Sequence, residues 1–271
     1  MTHDTGAGRG TVLALDYPGR RVEAHISDLR LEEAGWPVRY LMAPPMPRVL
    51  TSREYADALT AHGWDGEAVA ILAYCAAAPV AQDIAATLAI HSGRSPALVL
   101  FDGEPSYPQN IGRDLRTAAA QVGGAGDIAL PPEDTFTSPL LSARPAECVA
   151  RMRRCLLDAA IAVLRADGAD DDEAQAAAVE ITGVYLDWLV FLVAAHNAQW
   201  PEWPGEAIQI ASRDQDCADP WPGARGTTVH RFATGRNELL GDPDVRRLVL
   251  DLLAAATAAA DRRRFAELER K

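Results

Sequence analysis

Short apolar runs alternate along the first hundred residues with stretches whose apolar positions recur every three or four residues. Thr11–Leu15, Val38–Met42, Val69–Tyr74 and Ala97–Phe101 read as buried strands. Turn chemistry stops three of them, at Asp16-Tyr17-Pro18-Gly19, at Pro44-Pro45 and at Asp102-Gly103-Glu104-Pro105. Helical periodicity fills the gaps. One stretch runs through Val22, Ile26, Leu29 and Leu31; a second opens on Ser52 as capping residue and continues through Tyr55, Leu59 and His62; a third runs through Val80, Ile84, Leu88 and Ile90. Strands alternating with helices predict a mostly parallel sheet covered on both faces, its crossovers right-handed.

The pattern changes at about residue 113. From there to residue 199 helical stretches follow one another without a strand, the strongest being Ala146–Leu164 and Asp171–Asn197, with a solvated Gly/Asp-rich turn at 166–172 between them. Ala207–Ala211 and Thr227–Phe232 return to strand, and Asp244–Leu268 is a terminal helix with Val245, Leu248, Leu252 and Ala256 on one face. The expected organisation is an α/β core of residues 1–112 and 200–271 with a helical lid inserted at 113–199.

Candidate chemistry sits where the third run ends. A strand, a Cys flanked by small residues and an immediate Ala-rich helix form the layout of a nucleophile elbow, with Ala73-x-Cys75-x-Ala77 standing for G-x-S-x-G. Small residues are needed because the turn brings strand and helix backbones together. A thiol there predicts acyl transfer through a cysteine nucleophile. The competing reading is packing, since Cys also behaves as a small buried hydrophobe.

Composition narrows the classes. The 271 residues are 48% hydrophobic, enough for a sizeable core, and the net charge of −12 argues against broad nucleic-acid binding. Cys75, Cys148, Cys155 and Cys217 lack metal-ligand spacing, so no metal is expected. Met1–Gly10 has no apolar signal core, and the most apolar segment, Val184–Ala195, is short and contains Asp187. These features predict a cytoplasmic protein with reduced thiols, monomeric or dimeric, without a membrane or nucleic-acid partner. Arg144, Arg151, Arg153 and Arg154 gather just before the acidic cluster Asp167–Glu173.

Three signals fall in one order: the elbow, an Asp after the following strand, and the segment Arg236-Asn237-Glu238-Leu239-Leu240-Gly241-Asp242-Pro243-Asp244-Val245. That order resembles the thioesterases of polyketide and nonribosomal peptide assembly lines, α/β-hydrolases with a helical lid and a histidine loop of the form H-x-x-L-L-x-x-P-x-V. The resemblance spans roughly residues 10–260. It implies Cys75 as nucleophile, Asp102 as acid and the Ala76 N–H as one oxyanion donor. It also implies a second donor from the loop 16–20, where Tyr17 lies, and a place for Tyr74 beside the substrate. The histidine position falls on Arg236, which stays protonated and cannot be a general base. His230 is the nearest histidine in sequence. Arg236 has two readings: a structural ion pair with Glu238 or Asp242, or a cation that holds Cys75 as a thiolate.

Cysteine in place of serine is further similar to the Dieckmann cyclases that release tetramates and pyridones. That likeness implies a chain presented on the phosphopantetheine of an acyl or peptidyl carrier protein, no other cofactor, and release of a small-molecule acyl substrate by C–C bond formation. Arg151 and Arg154 are the expected carrier-docking residues. A hydrolytic releasing or editing thioesterase, or a catalytically inactive binding protein of the same build, are the other readings. Asp214 and Asp216 are reserve acids, and His196 with Trp188, Trp200, Trp203 and Trp221 are reserve pocket residues.

Overall fold

The computed structural model describes residues 10–19, 23–61, 63, 67–93, 95–124, 131–132 and 135–268, so Arg20, Val22 and His62 lie outside the described residues. Six strands form one sheet: β1 Thr11–Leu15, β2 Val38–Tyr40, β3 Ala68–Tyr74, β4 Ala97–Phe101, β5 Trp203–Ala211 and β6 Ala224–Arg231. Their order is β2-β1-β3-β4-β5-β6 and every neighbouring pair is parallel. Residues 12–15, 70–73 and 98–101 are fully buried. Being covered on both faces is why β1, β3 and β4 read as unbroken apolar runs rather than as alternating ones. Each buried Leu, Ile or Val contributes about 1.5–3 kcal/mol by leaving water, which fixes the register and hence where the strand ends stand.

Helices α1 Ser52–Thr60, α2 Ala78–Ser92, α3 Pro108–Gly123, α4 Ser138–Ala143, α5 Pro145–Ala166, α6 Asp171–His196 and α7 Pro243–Leu268 complete the chain. Among the described residues, one expected helix is absent. Ile26–Leu29 and Glu32–Ala34 are separate 3-10 turns. The backbone N–H of Ile26 donates to Asp16 Oδ2 at 2.8 Å and that of His25 to Asp28 Oδ2 at 2.7 Å. Side-chain carboxylates thus take N–H groups a longer helix would need, and Arg30 (φ 48°) and Gly35 (φ 79°) end each turn in the left-handed region. The cap of α1 is Thr51 rather than Ser52: Thr51 Oγ1 accepts from the Glu54 N–H at 3.2 Å.

Two compact units divide the chain. The first comprises Met1–Pro45, Ala56–Glu104 and Trp200–Lys271 and holds the sheet; the second comprises Met46–Tyr55 and Pro105–Gln199 and is helical. In the helical unit α6 is long and apolar enough to cross a membrane by length and composition. Here it packs on α3, α4 and α5 with residues 189–195 buried. Asp187, the charge inside its apolar stretch, is paired with Arg48 at 2.7 Å. Trp188 donates Nε1–H to Asp114 at 2.9 Å, and Tyr55 meets Phe191 edge to face at 5.2 Å. His196 Nδ1 lies 2.6 Å from the Ser106 carbonyl. Trp188 and His196 are thus both engaged within the helical unit.

Candidate active site

At the end of β3 the backbone of Cys75 adopts φ 54°, in the left-handed region, and the chain passes through the 3-10 turn Cys75–Ala77 directly into α2. A non-glycine residue held there costs on the order of 1–2 kcal/mol. The neighbours make the turn possible: Ala76, Ala77 and Ala78 are small and buried. Gly103 faces Ala78, and a Cβ on it would stand 2.8 Å from Leu100 Cβ. Below the elbow α2 is pinned by Gln82, whose Nε2 donates to the Pro201 and Pro222 carbonyls at 3.0 and 2.8 Å. Its Oε1 accepts from Trp221 Nε1 at 2.6 Å. The strained residue therefore sits on a fixed support, as a preorganised nucleophile requires.

Two side chains, Arg236 and Glu104, reach the sulfur at the sheet's carboxyl edge, and Tyr74 and Gln215 hold them there. Arg236 Nη2 donates to Cys75 Sγ at 2.8 Å and Nε to the Tyr74 hydroxyl at 3.1 Å, with the guanidinium 5.5 Å from the Tyr74 ring centroid. Arg236 Nη1 donates to Gln215 Oε1 at 3.4 Å. Gln215 Nε2 in turn reaches Glu104 Oε2 at 3.5 Å, and the Cys75 thiol donates to Glu104 Oε1 at 3.3 Å. Cys75, Glu104, Gln215 and Arg236 thereby close a ring of hydrogen bonds. The arginine is delivered by the 3-10 turn Leu239–Gly241, whose Leu239 and Leu240 are buried and anchor the loop. A further carboxylate, Glu23 Oε1, lies 4.0 Å from Arg236 Nε.

The electrostatic balance at the sulfur bears on the second reading of Arg236, the cation that holds a thiolate. Burial pushes the Cys75 thiol up to about 12; Arg236 and the Ala76 N–H pull it down, and Glu104 adds to the rise by charge and by hydrogen bond. Arg236 does act on charge as expected, but it does not win, and the resting group is the protonated thiol. Tyr74 is likewise pushed up to about 12, by burial first, against the pull of Arg236.

The remaining sequence candidates are placed as follows. Asp102 ends β4 with φ 45° and is fully buried; its Oδ1 accepts from the Ser212 N–H at 2.7 Å and its Oδ2 from the Ser212 hydroxyl at 2.9 Å. Burial raises its pKa against the pull of those two bonds. Its oxygens face Ser212, and none of the described histidines, His25, His91, His196 and His230, hydrogen-bonds to it or to Cys75. His230 pairs with Ile210, Ile210 with Phe101 and Phe101 with Tyr74. Three strand spacings, roughly 14 Å at about 4.8 Å each, therefore separate the His230 backbone from Tyr74. Tyr17 is half-buried in the loop after β1, and Asp214 and Asp216 are exposed. Sequence reasoning missed Glu104, Gln215 and Ser212. The first belongs to a turn read only as a strand stop, and the other two flank residues weighed for their carboxylates.

Asp102→Ala is expected to lower stability by about 2–3 kcal/mol in a denaturant titration, because the buried Ser212 N–H and hydroxyl lose their acceptor and Ala tolerates the left-handed turn less well than Asp. An unchanged midpoint would show that Ser212 finds another partner.

Neither a protein-family model nor a curated protein sequence matches this chain. Solved structures are similar to it. The Vlm2 thioesterase domain, carrying 2,3-diaminopropionic acid and bound with a dodecadepsipeptide, is 17% identical over 92% of this chain and 95% of that one, with a TM-score of 0.48. The RedJ thioesterase from the prodiginine biosynthetic pathway in Streptomyces coelicolor is 17% identical over 93% and 88%, with a TM-score of 0.47. A four-domain nonribosomal peptide synthetase bound to AMP and glycine is 12% identical, covers 94% of this chain and 20% of that one, and scores 0.50. Identities this low concern the fold alone. Taken with the parallel six-stranded sheet and the strand-to-helix elbow, the fold of this chain is that of an α/β-hydrolase.

Proposed function

We propose that this protein is a thioesterase-like acyltransferase whose Cys75 accepts an acyl chain from a carrier-protein thioester and releases it by cyclisation. The observation that carries this reading is the Arg236 guanidinium 2.8 Å from a sulfur at a left-handed elbow. A cation so placed stabilises negative charge on sulfur in both half-reactions. In the first, a bond forms between Cys75 Sγ and the acyl carbon and the bond to the pantetheine sulfur breaks. In the second, a carbanion within the chain attacks the same carbon and expels the Cys75 thiolate. Thiol-to-thioester exchange keeps the acyl group activated, which suits C–C bond formation of the Dieckmann type better than an oxyester does. The carrier protein is the partner in this reading, and its phosphopantetheine presents the chain.

The test uses an N-(β-ketoacyl)aminoacyl pantetheine thioester, whose acidic carbon between two carbonyls can close a five-membered ring on the thioester carbon, and the intact protein. Expected are a mass increase of one acyl group mapped to Cys75 and a cyclised product by liquid chromatography–mass spectrometry. Free acid as the sole product would make the protein a hydrolase, and no adduct with no product would make it a binding protein.

Carrier docking has its own signature. Arg151 and Arg154 are exposed on α5 and form no hydrogen bond or ion pair among the described residues, on a chain of net charge −12. Reversing both charges is expected to raise KM several-fold for a carrier-linked substrate, with a weaker salt dependence, and to leave the pantetheine-linked substrate unaffected. Equal KM values on the carrier-linked substrate would leave these arginines as solvated helix residues.

A further inference from the structure

A thiol pushed up to about 12 keeps its proton at neutral pH. Attack on a thioester therefore needs a group to receive that proton. Arg236 cannot, because it has no acceptor and stays protonated. Among the described residues, the charged and titratable groups facing the sulfur are Arg236, Glu104, Tyr74 and, through Tyr74, Asp102, while Glu23 stands behind Arg236, 4.0 Å from its Nε. Tyr74 holds its own proton at neutral pH, and Asp102 is bonded to Ser212. Glu104 Oε1 is within 3.3 Å of Sγ, with the thiol as donor. Its backbone is tied to the same place, the Glu104 N–H lying 3.5 Å from the Cys75 carbonyl. Its second oxygen is steadied by Gln215, which also holds Arg236.

We propose that Glu104 is the proton-transfer residue of this site, taking the thiol proton as Cys75 attacks and returning it to the departing sulfur. The inference rests on the reading of Cys75 as acyl acceptor. Work that one imidazole does elsewhere is here divided: Arg236 meets the charge and Glu104 moves the proton.

The steps balance. In acylation the S–H bond breaks, its proton passes to Glu104 Oε1, and the sulfur electron pair forms the new C–S bond while the carbonyl pair moves onto oxygen. When the carbonyl re-forms, the pantetheine C–S bond breaks and the leaving sulfur takes the proton from Glu104. In release, the regenerated carboxylate removes a proton from the acidic carbon between two carbonyls. The new C–C bond forms, the Cys75 C–S bond breaks, and Glu104 protonates the thiolate. Nothing is oxidised or reduced.

Glu104→Gln separates this role from that of a mere neighbour, because the two effects of the carboxylate have opposite signs. Glu104 raises the thiol pKa, so its removal lowers it and enlarges the thiolate fraction at a given pH. The rate of Cys75 alkylation by iodoacetamide is therefore expected to rise in Glu104→Gln, its pH profile shifting toward lower pH. Acyl transfer from an acyl-pantetheine thioester, followed as single-turnover mass gain on Cys75, is expected to fall about 100-fold or more. Glu104→Asp, which keeps a carboxylate, is expected to recover part of the loss. Acyl transfer that is unchanged or faster in Glu104→Gln overturns the proposal and leaves Cys75 as the acyl acceptor. If wild type gains no acyl group on Cys75, while iodoacetamide still labels it, the reading beneath falls and the proposal with it. Should Glu104→Gln fail to fold, Glu104→Ala carries the test: an acyl-transfer rate equal to wild type in that variant overturns it.

Discussion

Cys75→Ala is expected to abolish acyl transfer while leaving the fold standing. The change removes one sulfur from a half-buried side chain, and alanine already fills the three positions that follow it, 76, 77 and 78. Stability should shift by no more than about 1–2 kcal/mol. It also removes the strained position's only reactive atom, so the rate should drop by about four orders of magnitude or more. A thermal melt beside single-turnover mass spectrometry reads both quantities. Turnover by a folded Cys75→Ala protein would end the nucleophile hypothesis outright. Cys75→Ser should be far weaker than wild type, since a hydroxyl is harder to deprotonate than a thiol.

Arg236→Ala has the next largest expected effect, about 100- to 1,000-fold on acyl transfer, the range seen when one donor to a developing negative charge is removed. The sign at the sulfur follows from the causes already given. Arg236 pulls the Cys75 pKa down against burial and Glu104, so its loss raises that pKa further and shrinks the thiolate fraction at every pH below it. Alkylation of Cys75 should slow and its profile move toward higher pH, the reverse of Glu104→Gln. Arg236→Lys keeps the charge but loses the planar fork that reaches sulfur, the Tyr74 hydroxyl and Gln215 together, and should recover only part of the rate. Arg236→His would introduce a base able to activate water and should shift the product ratio toward free acid. Coincident alkylation profiles for wild type and Arg236→Ala would assign the arginine a structural role.

The parts of this molecule that are legible in its sequence are those governed by burial or by counting. The strands β1, β3 and β4 are enclosed on both faces, so their residues have no polar alternation to confuse the pattern. The position of Arg236 follows from Leu239, Leu240 and Pro243, which are recognisable because two of them anchor the loop in the core. Where polar side chains compete with backbone bonds the pattern misleads, as at Asp16 and Asp28, whose carboxylates replace a helix by two 3-10 turns. The ring around the sulfur was not legible. Glu104 and Gln215 are ordinary polar loop residues until parallel register brings the ends of β3, β4 and β5 to one edge. The protonation state of the thiol is illegible for the same reason. A sequence displays the arginine, whereas the burial and the carboxylate that outweigh it exist only in three dimensions.

The left-handed backbone at Cys75 acts as a filter on evolution as well as on geometry. Serine, cysteine and threonine all carry a nucleophilic atom on Cβ, but at φ 54° a second substituent on Cβ collides with the adjacent peptide, so threonine is excluded however good its chemistry. Serine and cysteine differ there by one atom and meet the same backbone. The fold is therefore indifferent between them, and the exchange is open to selection on the reaction alone. A lineage with this elbow can move between oxygen and sulfur in a single substitution, with the surrounding charges rather than the scaffold deciding whether the newcomer works.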